Sequence, residues 1–191
     1  MANKILISEQ DGTPKQICFA DHGGDFSPAA GTSLEFGAPT DVQITLAALA
    51  DTAARQSAKV DLGTERAQVY KVRAAFEFAA TPDDRDMVEL YWAPSSSSTA
   101  ANGNAGNIIG ADAAYAGYSA NLESSLLQLD MIGVFMTTVQ ATGTVQVAEV
   151  GFFSPSERYG SLVVNNESGA NFHSNDIESH VVFDPVVPEV Q

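Results

Sequence analysis

The sequence predicts an all-β protein, an antiparallel two-sheet β-sandwich that is jelly-roll-like and has about eight strands. Three observations predict this fold class. Apolar and polar residues alternate over many short stretches, Gly, Pro, Asn and Ser clusters separate these stretches, and a helical period is almost absent.

The clearest alternation lies in residues 67–94, which we predict to form one long hairpin at the centre of a sheet. Its apolar positions are Tyr70, Val72, Ala74, Phe76 and Phe78 in the first run, and Val88, Leu90 and Trp92 in the second. Residues 81–84, Thr-Pro-Asp-Asp, have the composition of a turn. Burial of Phe76, Phe78 and Trp92 is expected to contribute roughly 1.5–3 kcal/mol each, so both apolar faces should meet one core.

Glycine and proline punctuate the first 37 residues and leave room for short extended pieces at residues 4–8 and 16–20. We therefore divide the chain into an extended N-terminal arm with short strands, residues 1–37, and a jelly-roll-like β-sandwich domain, residues 38–191. Within that domain the alanine-rich residues 47–54 are expected to form a helical turn. Periodicity leaves the choice between helix and strand open for residues 111–126.

The chain is acidic, because 9 Lys and Arg face 24 Asp and Glu, for a formal net charge of −15. Proteins that bind nucleic acid need a basic surface, so we expect no nucleic-acid partner. Solubility alone explains an acidic surface. A second explanation is that the protein lies outside a particle that holds DNA, or against a basic partner.

Cys18 is the only cysteine, so the fold is not expected to depend on a disulfide. The apolar run Ile5, Leu6 and Ile7 is far shorter than a signal-peptide core, and no stretch has the length of a membrane span. We expect a protein that is made and used in solution, with no membrane partner.

No catalytic motif is evident, and we expect neither an enzyme nor a bound cofactor or metal. His22, in Asp-His-Gly-Gly-Asp, suits a metal less well than a glycine-rich turn. His173 and His180 flank Asp176, but the alternation predicts that His180 lies on an exposed face.

Four other motifs have simpler structural explanations. The acids Asp83, Asp84 and Asp86 lack the glycine and the distal glutamate of a calcium loop and suit a solvated turn. Ser119 lacks the second glycine of a nucleophile elbow. The triplet at residues 166–168, Asn-Glu-Ser, matches a glycosylation signal by chance. Paired carboxylates for glycoside hydrolysis remain an alternative, because the sequence does not show which acids are neighbours in space.

Two surfaces are candidates for contacts with other molecules. The low-complexity loop at residues 95–107 should be exposed and mobile unless a neighbour holds it. Its candidate partner-contact residues are Ser95, Ser96, Ser97, Ser98, Asn102 and Asn104. The aromatic residues Trp92, Tyr91, Tyr115, Tyr118 and Tyr159 are candidates for a sugar-binding platform, and Tyr91 is the candidate glycan contact because it lies opposite the apolar face.

Three segments resemble those of small accessory structural proteins of tailed bacteriophages. They are Ala-Lys-Val-Asp-Leu-Gly at residues 58–63, Leu-Tyr-Trp-Ala-Pro-Ser at residues 90–95 and Arg-Tyr-Gly-Ser-Leu-Val-Val-Asn at residues 158–165. The likeness covers about residues 40–187. It implies a non-enzymatic virion protein with a jelly-roll-like domain, such as a capsid decoration or cement protein.

The resemblance further implies a place on the outer surface of the particle, after assembly in the cytoplasm of the host bacterium. The implied partners are the major capsid protein or other virion proteins, and further copies of the chain in a homo-oligomer. An alternative is a tail or spike component, or a carbohydrate-binding module, that recognises a host-surface glycan.

Overall fold

Two β-sheets pack face to face in the computed structural model, which describes residues 14–64 and 66–186. Eleven strands and one short helix follow in chain order. They are β1 (Ile17–Ala20), β2 (Thr40–Gln43), β3 (Ala53–Gln56), β4 (Val60–Asp61), β5 (Val69–Glu77), β6 (Met87–Ser95), β7 (Ala113–Tyr115), α1 (Leu122–Leu126), β8 (Asp130–Met136), β9 (Val145–Phe153), β10 (Tyr159–Glu167) and β11 (His180–Val186). The all-β sandwich predicted from the sequence is confirmed.

The strand order is that of a jelly roll. One sheet has the order β2-β1-β11-β5-β9 and the other β7-β3-β10-β6-β8, with β4 also paired to β10. Without β2, β4 and β7, the remaining eight strands, renumbered in chain order, form sheets 1-8-3-6 and 2-7-4-5. All pairs are antiparallel except β1 with β2. This is the order in which two Greek keys fold into paired sheets.

The structure has eleven strands where the sequence predicts about eight. One additional strand, β1, is the short extended piece predicted at residues 16–20. The other two, β3 and β7, are four and three residues long, too short to show a clear alternation. Strand β3 begins within the alanine-rich segment predicted as a helical turn, and β7 lies in the segment left open between helix and strand. The pairing of β3 with both β10 and β7 outweighs the weak strand preference of its own residues.

The prediction that residues 67–94 form a hairpin is wrong, because the two strands do not pair with each other. The prediction that their apolar side chains are buried in one core is correct. Strand β5 lies in the five-stranded sheet and β6 in the six-stranded sheet, so the two face each other across the core. Phe76, Leu90 and Trp92 are fully buried in that core. Alternation could not separate the two arrangements, because a hairpin and a crossing connection bury the same side chains.

Residues 14–37 form part of the sandwich, whereas the sequence predicted that they belong to an extended arm outside it. Strand β1 lies inside the five-stranded sheet, between β2 and β11, and all four of its residues are buried. The Phe19 ring packs on Phe183, with centroids 4.9 Å apart. The extended piece predicted at residues 4–8 lies outside the described residues.

Each sheet also carries an apolar cluster on the face away from the core. On the five-stranded sheet this cluster contains Cys18, Leu34 and Val182, and residues 21–39 cover it. On the six-stranded sheet it contains Tyr115, Leu126 and Val163, beneath the segment that joins β6 to β8. The middle strands β1 and β10 are therefore buried on both faces.

The position of β1 predicts that Phe19→Ala destabilises the whole domain. Removing a buried aromatic ring from the shared core should lower the free energy of unfolding by about 3–5 kcal/mol, measured by urea denaturation. The matched control is Phe36→Ala, since the Phe36 side chain lies outside that core and is 42% exposed. Similar small losses in both variants would show that β1 is a dispensable extension.

Candidate functional site

The serine-rich loop at residues 95–107 is held from inside by one lysine. Lys59 lies between β3 and β4, and its Nζ donates to Ser95 Oγ at 2.8 Å and to the backbone oxygens of Ser97, Thr99 and Asn102 at 3.0, 2.7 and 2.8 Å. An ammonium has three N–H donors, so the four oxygens share them. Partial burial of this ammonium lowers the pKa of Lys59.

This arrangement gives the six predicted partner-contact residues different roles. Ser95 is buried at the end of β6, and the Asn104 amide donates to the backbone oxygens of Ala100 and Ile108. Ser97 is half-buried, and its hydroxyl accepts a hydrogen bond from the Thr99 N–H. The residues of the set that remain exposed are Ser96, Ser98 and Asn102. Their contact with a partner stays a prediction.

Replacing Lys59 tests whether it organises the loop. Lys59→Met keeps an apolar stem and removes the charged donor, so the free energy of unfolding should fall by about 1–3 kcal/mol, and the amides of residues 96–104 should exchange faster with solvent. Lys71→Met is the matched control, because the Lys71–Glu149 ion pair is exposed and worth at most about 1 kcal/mol. Unchanged exchange in the Lys59 variant would show that the loop is ordered without it.

A groove of about 530 Å³ lies where the segment around α1 meets the ends of β3 and β10. One wall is formed by residues 119–123, and Thr52 and Glu167 line the other side. Ser119, Ala120 and Thr52 all have positive φ, at 52°, 58° and 61°. Three non-glycine residues are thus held in the sparsely populated left-handed region around one groove.

Strands β6 and β10 carry a set of four polar side chains on this outer face, one of which, Glu167, lines the groove. Their register sets Glu89 opposite Asn165 on the outer face. Tyr91 lies two residues from this pair toward one end of the strands, and Glu167 lies two residues from it toward the other end. Asn165 Nδ2 donates to Glu89 Oε2 at 2.9 Å and to Glu167 Oε1 at 3.2 Å. The Tyr91 hydroxyl donates to the same Glu89 oxygen at 2.9 Å. The two carboxylates therefore lie on either side of one amide nitrogen.

The polar set is rich in acceptors and carries uncompensated negative charge. Burial raises the pKa of Glu167, and Asp51, Glu89 and Glu123 raise it further, while the Asn165 amide opposes them. Burial and the Glu89 carboxylate also raise the pKa of Tyr91 well above its ordinary value. Within residues 14–64 and 66–186, the carboxylates of this region form no salt bridge; they are Asp51, Glu89, Glu123 and Glu167.

The structure does not bring the candidate aromatic residues into one platform. Trp92 is fully buried in the main core, and Tyr115 is buried beneath the segment around α1. Tyr159 packs under Arg158, and Tyr118 is half exposed on a turn. Tyr91 lies on the outer face as predicted, where it packs against the outer apolar cluster of the six-stranded sheet.

His180 is fully buried, so its predicted exposure is wrong. The segment at residues 21–39 covers the outer face on which it lies, and periodicity cannot show such a cover. Its Nδ1 donates to the Glu178 backbone oxygen at 2.7 Å, and its Nε2 accepts from the Leu34 N–H at 3.0 Å. These contacts fit a neutral ring, and burial lowers the pKa of His180.

Asp176 is a buried carboxyl near the turn that contains His22. The residue is 1% exposed, and neither carboxylate oxygen makes a hydrogen bond of good geometry. Burial raises its pKa to about 6, Asp21 and Asp25 raise it further, and the backbone N–H groups of Leu46 and Ala47 oppose the shift. Across the described parts of the chain, no group of three or more His, Cys, Asp or Glu side chains is arranged to hold a metal ion.

The remaining motifs serve the fold. Asp83 and Asp84 lie exposed in the connection between β5 and β6. The triplet at residues 166–168 is internal, since Asn166 is fully buried and its amide donates to the backbone oxygens of Leu49 and Ala170. Ser119 lies at the mouth of the groove.

Replacing Asp176 should change how stability depends on pH. Its folded pKa of about 6 lies above the ordinary value of 3.8, so the cost of burying its charge is full above pH 6 and disappears as pH falls to about 4. Asp176→Asn should therefore raise the free energy of unfolding by about 1–3 kcal/mol at pH 7.5 and change it little at pH 4. Urea denaturation at both pH values measures this, and a gain that does not depend on pH would contradict the raised pKa.

Sequence reasoning missed Lys59, Asn165 and Glu167 as members of a site. A signal for the polar set around Glu167 was present, because Glu89 and Tyr91 share the polar face of one strand and Asn165 and Glu167 lie at the same spacing on another. The missing information was that β6 pairs with β10, which periodicity does not give.

The fold and site define a jelly-roll-like β-sandwich with an acid-lined groove on one outer face. No protein-family model matches the chain, and neither a curated protein nor a solved structure is found to be similar to it. The likeness to phage structural proteins stays a prediction. Among the described residues no helix is both long and apolar enough to cross a membrane.

Proposed function

We propose that the protein is a non-enzymatic structural component of a tailed-bacteriophage particle, a decoration or cement protein bound to the outside of the head. The observation that carries the proposal is the jelly-roll order of its eight main strands. Jelly rolls recur in viral capsid proteins and in lectins, so this fold suits a protein that works by binding. Between viral proteins and lectins, we choose the viral class because three segments of the chain resemble phage structural proteins.

The charge of the chain supports a position outside the shell. A formal net charge of −15 would be repelled by packaged DNA and attracted by a basic surface on a capsid subunit. The groove acids Glu123 and Glu167 form no salt bridge within the described part of the chain, so their carboxylates are available to such a partner.

The exposed apolar side chains support contact with further protein, including copies of the chain. Met131 and Met136 on β8, and Val147 and Phe152 on β9, are between 47% and 62% exposed. β8 and β9 are the edge strands of their sheets on the same side of the sandwich. Unpaired edges with apolar side chains favour association, so we propose that this side faces a neighbour in the particle.

Recognition of a host-surface glycan by a tail or spike component is the second candidate. The contact of the Tyr91 hydroxyl with Glu89 favours it, since ligand sites combine aromatic side chains with a few well-placed polar groups. The burial of Trp92 and Tyr115 weighs against it, because stacking on a sugar needs an exposed ring.

Imaging of the intact particle tests the first proposal. Cryo-electron microscopy of particles from cells that produce the protein should show extra density on the outside of the head, and particles that lack the protein should show none there. Lower resistance of the lacking particles to heat or chelators would support a cementing role. Density confined to the tail tip, together with glycan-array binding that Tyr91→Ala abolishes, would instead favour the second candidate.

A further inference from the structure

We propose that residues 21–39 form a pH-operated cover over the outer face of the five-stranded sheet, closed while the His180 ring is neutral and released when the ring takes up a proton. The cover lies over the apolar cluster that contains Cys18, Leu34, Ala75 and Val182. Acidification then exposes an apolar face that the protein hides at neutral pH. This inference does not rest on the proposed function.

The hydrogen bonds of His180 allow only one protonation state of its ring. The Leu34 backbone N–H lies 3.0 Å from Nε2, and because an amide N–H can only donate, Nε2 must accept with its lone pair. The Glu178 backbone oxygen lies 2.7 Å from Nδ1, so this nitrogen carries the ring hydrogen. Turning the ring by half a rotation would put carbon atoms at both contacts. The closed cover therefore fixes His180 as the neutral Nδ1–H tautomer.

A second proton on this ring is incompatible with the closed cover. It would lie on Nε2 and point at the hydrogen of the Leu34 N–H, so that two donors would face each other across 3.0 Å. The His180 side chain is fully buried, so its charged form would also lose the solvation that water provides. Release of the cover from the ring removes both costs.

The charged groups that face His180 do not remove this conflict. Burial has the largest effect and lowers the pKa of His180. The backbone oxygen of Glu178 and the carboxylates of Glu35 and Glu178 oppose this shift, whereas Arg73 on β5 adds to it. Arg73 is itself paired with Asp184 on β11, at 2.5 Å. The balance favours the neutral ring as long as the cover is closed.

The middle of the cover is attached to the residues around His180. The Leu34 N–H is bound by the ring, and the Phe26 ring packs on it with centroids 5.2 Å apart. The Ala29 N–H donates to the Glu178 carboxylate at 3.0 Å. Protonation of His180 thus acts on the contacts that hold residues 26–34 against the sheet.

The sign of the pH dependence follows from proton binding to the two forms. A histidine in water has an ordinary pKa of 6.5, and the closed cover lowers the pKa of His180 below this value. The open form therefore binds the proton more strongly, so the closed cover is most stable above pH 6.5 and loses stability as the pH falls below it. Each pH unit favours the open form by up to about tenfold, until the pKa of the closed form is reached.

The chain contains one reporter for the cover and another for the main core. Cys18, its only cysteine, is fully buried in the cluster beneath the cover, and burial raises the pKa of its thiol. Trp92, its only tryptophan, is fully buried in the core between the sheets. Opening of the cover exposes the thiol and leaves the indole buried, whereas global unfolding exposes both.

Thiol labelling of the full chain at different pH values tests the proposal. Dithiodipyridine reacts with thiols in acid as well as at neutral pH. Dividing its rate with Cys18 by its rate with a cysteine peptide at the same pH removes the reactivity of the thiol itself. This rate ratio should rise about tenfold from pH 7.5 to pH 5.5, while the fluorescence of Trp92 keeps the emission wavelength of a buried indole.

The variant His180→Gln separates this ring from all other titrating groups. The glutamine Oε1 takes the place of Nε2 as acceptor for the Leu34 N–H and does not titrate, so the rate ratio should change less than about twofold over the same pH range. The control is His22→Gln, within the cover. The His22 ring nitrogens face two acceptors, the Cys18 backbone oxygen at 3.1 Å and Asp41 Oδ1 at 3.9 Å, so a proton there fits the closed cover. This variant should keep the rise in acid.

The nitrogen chemical shifts of the His180 ring provide a measurement on the unaltered chain, which decides the question even where the variant does not fold. The ring should be the Nδ1–H tautomer at pH 7.5 and become an imidazolium as the pH falls. Hydrogen exchange of the Leu34 amide should accelerate over the same range, because the amide loses its acceptor.

Four results would overturn the proposal. They are a rate ratio that does not depend on pH, an equal rise in acid for His180→Gln, exposure of Trp92 in step with Cys18, and an Nε2–H tautomer at pH 7.5. The third result would assign the acid response to unfolding of the whole domain.

Discussion

The structure depends on one apolar core that both sheets share, and on the need to fill it from strands that face each other. Phe76 from β5, Trp92 from β6 and Phe183 from β11 are all fully buried there. At about 25 cal/mol per Å² of buried apolar surface, such rings dominate the favourable free energy of folding. The jelly-roll order satisfies this constraint, because each crossing between the sheets adds a strand to one side or the other of the same core.

The outer faces of the sheets explain where function can lie. A chain of this length covers part of each outer face with its own loops, which form the two smaller apolar clusters. The six-stranded sheet is covered only in part, so Glu167 lines an open groove, and Asn165 lies between it and Glu89. The groove is thus a boundary between the covered and uncovered parts of one sheet face.

Local periodicity predicted the sandwich and most of its buried positions. The alternation in β5 and β6 was sufficient to place Phe76 and Trp92 in the core. It could not show that the two strands lie in different sheets, that residues 21–39 cover His180, or that Lys59 holds the serine-rich loop. Each of these depends on contacts between residues distant in the chain, and local pattern contains no information on them. The groove was missed for the same reason, since it exists only where the segment around α1 meets the ends of β3 and β10.

The pairing of β1 with β11 has a consequence for how the protein is made. Ile17 lies opposite Phe183, so β1 must wait for a strand that is made much later in the chain before it gains its antiparallel neighbour. Such long-range closure is slow, and during synthesis the apolar side chains of β1 remain without that partner until β11 leaves the ribosome. The nascent chain should therefore depend on chaperones more than a helical protein of equal length, and high translation rates should favour its aggregation.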